Sequence, residues 1–156
     1  MNAPVLQGST TFRDPAGSLR IEGKEVLRTV HPEYAPDALR FLHSDIAERL
    51  TREGRLVSSR ILSSGEQQPL LLQHPHVFFT SYPWEWTPGQ WIAAGALTLD
   101  LCGEMLGEGW ILKDATPLNI LFEGCRPVFV DVLSPERRDP QSPLWLAYGQ
   151  FARTFL

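Results

Sequence analysis

The hydrophobic pattern divides the chain into short segments of alternating period. Leu19 and Ile21, then Val26, Leu27 and Val30, flank a Glu22-Gly23-Lys24 step, and a two-residue period broken by a glycine turn predicts a β-hairpin. Leu39, Leu42, Ile46 and Leu50 recur three or four residues apart, which predicts one helix from about Pro36 or Asp37 to a stop at Gly54. Residues 56–62 read as a strand and 63–68 as a polar turn. Residues 70–72 and 77–79 form a further apolar stretch, broken at His74-Pro75-His76. Thr87-Pro88 reads as an N-cap followed by proline in the first helical turn. The predicted helix runs over 88–106, mostly buried through Ile92, Ala96, Leu99 and Met105, and Gly107 and Gly109 end it. Beyond it, 118–132 predicts a hairpin with Asp131 on its second strand, 134–143 an exposed proline-containing loop, and 144–156 an apolar helix.

These segments predict an α+β chain with a flexible lead-in at 1–11, a small lobe at 12–81 and a larger unit at 82–156. The small lobe is an antiparallel sheet with one helix. The larger unit is built on the long helix and the 118–132 hairpin.

Composition narrows the function classes. The chain has 156 residues, 43% of them hydrophobic, and a formal net charge of −4. That is enough chain for a buried core. The acidic balance does not suit general nucleic-acid binding, which needs a dense basic face. The apolar-rich run over 91–105 contains Asp100 and Glu104 and is too short for a membrane span. Cys102 and Cys125 form no CxxC pair and have no histidine cluster near them, so neither a disulfide framework nor a zinc site is expected. With an N-terminus that lacks a basic and then apolar leader, the expectation is a cytoplasmic protein.

The most specific constellation is Asp114, Asn119 and Asp131. A buried helix is followed by a loop Asp, an Asn five residues on, a strand, a turn, a second strand and another Asp. Phosphotransferases of the kinase fold use this order for mechanical reasons. One Asp faces the attacking hydroxyl, and the Asn and the later Asp supply hard oxygen ligands to magnesium on the nucleotide phosphates. The stretch LKDATPLNILFEGCRPVFVD resembles the catalytic loop and metal strand of the aminoglycoside-phosphotransferase-like kinases. That resemblance implies a protein-kinase-like fold, with Asp114 as the base, Asn119 and Asp131 as metal residues, and ATP with magnesium as cofactors. It also makes the SYPWEWT stretch, with Tyr82 and Trp84, the hinge that contacts adenine.

Several positions depart from that pattern. The position two residues before the loop Asp, normally His, is Leu112, and Lys113 directly precedes the Asp. No Gly-rich loop is present, and Asp14-Pro15-Ala16-Gly17-Ser18 is a weak substitute. The expected strand lysine is replaced by Arg28, whose planar fork places its charge differently. Its acidic partner could be Asp45, Glu48 or Glu53. Only 25 residues follow Asp131, which implies a truncated C-terminal lobe.

GWILKDATPLNILFEGCRPVFVDVLS, the opening FRDPAGSL and the terminal WLAYGQFARTFL resemble the front portion of bacterial class I SAM-dependent methyltransferase proteins, some of them nodulation-related. In that group a kinase-like portion precedes a methyltransferase domain. This chain has no strand–GxGxG–helix stretch, and Gly107-Glu108-Gly109 follows a helix, so SAM is not expected to bind it.

Three readings follow. The first is a non-catalytic module that binds a partner or substrate, docking a methyltransferase domain, another protein or a second copy through Trp145, Tyr148, Phe151 and Phe155 on an uncovered apolar face. The second is a minimal ATP- and magnesium-dependent phosphotransferase. The third is a nucleotide-binding sensor without transfer. Among the cofactor-contact candidates Arg28, Lys113, Tyr82 and Trp84, Lys113 can hold a phosphate or pair with Asp114, Glu123 or Asp131, and Arg28 can equally be a solvated or ion-paired strand residue. Trp84, Trp86 and Trp91 can stack a base or plug an interface. His74 and His76 read as a turn.

Overall fold

A computed structural model describes residues 15–65 and 68–156; the lead-in expected at 1–11, and Asp14, lie outside the described residues. The chain divides into two compact units. One comprises the chain up to Pro36 together with Ser59–His76, and the other comprises Asp37–Ser58 together with Val77–Leu156.

The first unit is an antiparallel sheet. Its strands are β1 (Gly17–Glu22), β2 (Glu25–Val30), β3 (Arg60–Gly65) and β4 (Gln68–Pro75), in the order β1-β2-β4-β3. The predicted hairpin forms. Gly23 turns between β1 and β2 at φ 61°, a left-handed conformation that glycine adopts without the Cβ penalty. Of the polar turn expected at 63–68, residues 63–65 and 68 lie on strands, β3 reaching Gly65 through two register shifts against β4, and residues 66–67 lie outside the described residues. His74 lies on β4 and not in a turn. It is buried, with its Nδ1 3.1 Å from Ser59 Oγ. Val30, Leu70 and Leu72 supply fully buried apolar side chains.

The helix predicted over 36–54 is two helices, α1 (Ala35–Leu42) and α2 (Asp45–Arg52). Ser44 causes the break. It takes extended backbone at φ −84°, ψ 151°, and its hydroxyl accepts the Ala47 N–H as the N-cap of α2. Sequence periodicity carries through this break, since Leu39, Leu42, Ile46 and Leu50 keep their spacing on either side of the cap.

The described contacts also place α2 differently from the expected 12–81 lobe. Arg49 and Arg55 both pair with Glu104. Just beyond α2, Leu56 bridges Phe129, and Val57 N–H donates to the Phe129 carbonyl at 2.9 Å. These bonds make α2 part of the second unit, which is therefore built from two separate stretches of sequence.

At the centre of that unit is α3 (Pro88–Gly107), with a capping box in which Thr87 and Gln90 satisfy each other's backbone N–H groups. Its buried stripe is Ala94, Leu97, Thr98, Leu101, Cys102 and Met105, while Ile92, Ala96 and Leu99 are exposed. The expected face was rotated because apolar residues surround this helix, leaving periodicity little polar contrast to work with. After α3 come β5 (Trp110–Leu112), β6 (Ile120–Glu123), β7 (Arg126–Phe129), β8 (Pro135–Arg137) and α4 (Tyr148–Phe155). β6 and β7 form the predicted hairpin, turning at Gly124 with φ 64°. The exposed loop expected from 134 is ordered at its start. There β8 pairs with β5, Ser134 is fully buried, and Arg137 lies 4.1 Å from the Trp110 ring centroid.

Candidate functional site

Asp114, Asn119 and Asp131 all lie in the second unit, joined by a chain of hydrogen bonds. Asn119 closes a 3-10 turn that Thr116 caps, with the Thr116 hydroxyl accepting the Leu118 N–H. Val130 N–H donates to the Asn119 carbonyl at 2.8 Å, so the end of the β6–β7 hairpin returns Asp131 to the segment that carries Asn119. Asp131 follows β7, which ends at Phe129, and so is not on the strand as expected. Freed from the ladder, its carboxylate Oδ1 accepts Leu133 N–H at 3.2 Å and its carbonyl accepts Ser134 N–H at 3.1 Å. This tight turn ends at Ser134, which grips the loop of the first Asp. Asp114 N–H donates to Ser134 Oγ at 3.1 Å, Ser134 Oγ donates to the Asp114 carbonyl at 3.0 Å, and Lys113 N–H donates to the Ser134 carbonyl at 3.0 Å.

The other side of the Asp114 loop is held by α4. Gln150 is two-pronged: Nε2 donates to Asp114 Oδ1 at 3.1 Å, and Oε1 accepts the N–H of fully buried Ala115 at 2.9 Å. The Trp145 indole N–H donates to the Leu112 carbonyl at 2.9 Å. Phe151 is buried with Ala115 and Ala147, and Phe155 packs over Gly95 on α3 and against Trp91 at 5.7 Å between ring centroids. Trp145, Phe151 and Phe155 therefore cover the chain's own loop and helix, so the uncovered apolar face expected of them does not form. Tyr148 stays exposed, as do Leu144 and Leu146. The terminal residues looked unpartnered in sequence because their partners lie about 30 to 60 positions away.

The remaining predicted contacts fall in both units. Arg28 is on β2 in the first unit, buried, facing Leu19 and Leu72 in register. Of its proposed partners, Glu48 lies 3.9 Å from Arg52 and Glu53 lies 3.3 Å from Arg55. Lys113 is exposed beside a groove of about 450 Å³ that Arg137 and Arg138 also line. Tyr82 and Trp84 stack on each other, 4.9 Å apart and 8° from parallel, and both rings are exposed. The backbone around them is already engaged, since Tyr82 N–H donates to Glu85 and Glu85 N–H donates to the Tyr82 carbonyl. The Tyr82 amide is therefore already paired, while both rings face solvent. Trp86 is a core residue, edge-on to Trp91 and Phe122.

Asn119 and Asp131 supply hard oxygens of the kind magnesium takes. The Asn119 amide nitrogen is buried without a hydrogen-bond partner among the described residues, an unusual cost that a bound ligand would relieve. No group of three or more His, Cys, Asp or Glu able to hold a metal exists among the described residues. A magnesium ion here would therefore take its remaining ligands from phosphate and water, which fits its habit in phosphotransferase sites. Gln150, Ser134 and the indole of Trp145 escaped sequence reading. The one available signal was Gln150 itself, a polar side chain set among the aromatic residues Tyr148, Phe151 and Phe155 of the terminal helix.

No family model matches the chain. The chain is similar to the nodulation protein NoeA of Rhizobium meliloti (strain 1021), with 35% identity over 154 residues, covering 94% of this chain and 31% of NoeA. It thus spans about a third of that relative's length. The solved structure of vaccinia related kinase 3 matches 84% of this chain and 48% of its own, with a TM-score of 0.58 and 11% identity. The fold is therefore that of the protein kinases. Among the described residues no helix is long and apolar enough to cross a membrane.

Proposed function

We propose that this chain is the kinase-like module of a larger protein of the nodulation-related, SAM-dependent methyltransferase group, and that it binds a magnesium-complexed nucleotide without turning it over. The observation that carries the binding reading is the return of Asp131 to Asn119 by the Val130–Asn119 backbone bond, beside an Asn119 side-chain nitrogen that has no hydrogen-bond partner among the described residues and is left to donate to a phosphate oxygen. The kinase fold and the similarity to NoeA support the module reading. The arginine at the strand-lysine position supports binding over transfer, since Arg28 cannot place a compact ammonium on the phosphates. When bound, magnesium would neutralise phosphate charge. Asn119 and Asp131 would hold it, and Gln150 would fix the carboxylate of Asp114.

A second reading, phosphoryl transfer, is favoured by one observation. Asp114 is partly exposed and held in one orientation by Gln150, as a base facing a hydroxyl needs to be. Thermal-shift titration with ATP separates the two when paired with an assay for ADP release. Stabilisation that requires magnesium, is lost in Asp131→Ala and occurs without ADP release supports binding alone. ADP release abolished by Asp114→Asn would establish transfer. An absence of any magnesium-dependent shift would refute both.

A further inference from the structure

The geometry points to a second ligand site beside Asp114: a subsite for an anionic group, carboxylate or phosphate, built on the exposed side of α4 around Arg153. A cavity of about 450 Å³ opens there, lined by Thr116, Gly149, Gln150, Arg153 and Thr154. Three features favour an anion.

First, Arg153 stands apart from the other described arginines. Six described arginines pair with a carboxylate. Arg153 has neither an ion pair nor a hydrogen bond among the described residues, and it projects from the last turn of α4 at the edge of this cavity. An open guanidinium presents five donors in a fork that matches planar oxyanions.

Second, Arg153 lies three residues after Gln150, so the two share a helix face. Gln150 turns its amide onto Asp114 and Ala115, which places a neutral group between the Asp114 carboxylate and the cavity.

Third, Gly149 lines the cavity, and a Cβ built on it would meet nothing within 4 Å. A side chain at this position would start in open space at the cavity lining. Of the two threonines, Thr154 donates its hydroxyl to the Gln150 carbonyl at 2.7 Å. Thr116 uses its oxygen as an acceptor and keeps its hydroxyl proton to donate.

This site lies on the α4 side of the Asp114 loop and does not use Asn119 or Asp131. It therefore stands independently of the nucleotide reading. The ligand would be a small molecule whose acidic group sits on Arg153 while the rest reaches towards Asp114.

The test is a titration of isotope-labelled protein with inorganic phosphate, and separately with succinate, at constant ionic strength, followed by backbone amide and arginine Nε shifts. The expected result is saturable shifts at Gly149, Arg153 and Thr154 that persist in Asp131→Ala. Binding should weaken about tenfold or more in Arg153→Gln, as loss of a charge-assisted pair predicts. Gly149→Leu, which fills the cavity while leaving the arginine in place, should weaken it by a similar factor. The tighter of the two probes names the acidic group. Both variants change exposed helix positions, and a dispersed spectrum shows that each is folded. The proposal is overturned if neither probe gives saturable shifts at α4, if Arg153→Gln leaves them unchanged, or if Gly149→Leu binds as the wild type does.

Discussion

Replacing Ser134 with alanine removes the grip that the turn after Asp131 has on the Asp114 loop. Ser134 is fully buried, and its hydroxyl both accepts the Asp114 N–H and donates to the Asp114 carbonyl. Alanine keeps the backbone and nearly the same volume, so the cost comes from two lost bonds and a partly buried amide left without its acceptor. The carbonyl's lost bond costs about 1 kcal/mol and the orphaned, only partly buried amide about 1–2 kcal/mol, so a total of roughly 2–3 kcal/mol is expected. For a chain of this size that is a fall in Tm of roughly 4–12 °C. Urea unfolding followed by tryptophan fluorescence measures the global loss. Amide hydrogen exchange measures the local one, because the Asp114 amide should exchange roughly 30- to 150-fold faster at about 1.4 kcal/mol per decade. The double variant with Gln150→Ala should show coupling, since both residues hold the same loop. A Ser134→Ala protein within about 0.5 kcal/mol of the wild type, with its Asp114 amide still protected, would refute the reasoning.

Three further outcomes follow from the same packing. Gly95→Leu drives a side chain into Phe155, since even a Cβ would lie 3.3 Å from that ring; α4 should loosen at a cost of about 1–3 kcal/mol, seen as faster exchange at Ala115. The bond from Arg55 holds the Glu104 carboxyl below its ordinary range, against the opposing effect of burial, with Arg49 adding to the lowering. A depressed folded value means that this contribution is present above the unfolded pKa and lost as pH falls through the folded one. Acid unfolding should therefore be shallower in Glu104→Gln, and a difference from wild type that did not shrink on acidification would contradict this. Burial pushes the Cys102 thiol up to about 11, with the Leu112 backbone opposing, whereas Cys125 is exposed. A thiol reagent at pH 8 should modify one cysteine in the native protein and two in urea, and Cys125→Ser should abolish the native reaction.

Local order was legible wherever one element's own residues decide it. The Gly23 and Gly124 turns and the Thr87-Pro88 helix start are local chemistry, and each lies where the sequence places it. Structure decided by distant residues was not legible. Ser44 competes with a helical stripe that carries on past it, and only its cap bond to Ala47 shows which wins. The assignment of α2 to the second unit depends on Glu104, some fifty residues away. The same holds at the site. The polar trio could be read from spacing, but its supports Ser134 and Gln150 act across 20 and 36 positions. The terminal aromatic residues looked like an open face for the same reason: nothing near them in sequence reveals the loop that they cover.

Isothermal calorimetry of ATP with magnesium, on the wild type and on Asp131→Ala, tests the central claim most directly. The expected result is saturable binding that needs magnesium, is lost in the variant and leaves the ATP intact. Wild-type protein that is folded by circular dichroism yet takes up no nucleotide, or a variant that binds as tightly as the wild type, would contradict the assignment of Asn119 and Asp131 as the metal-holding pair.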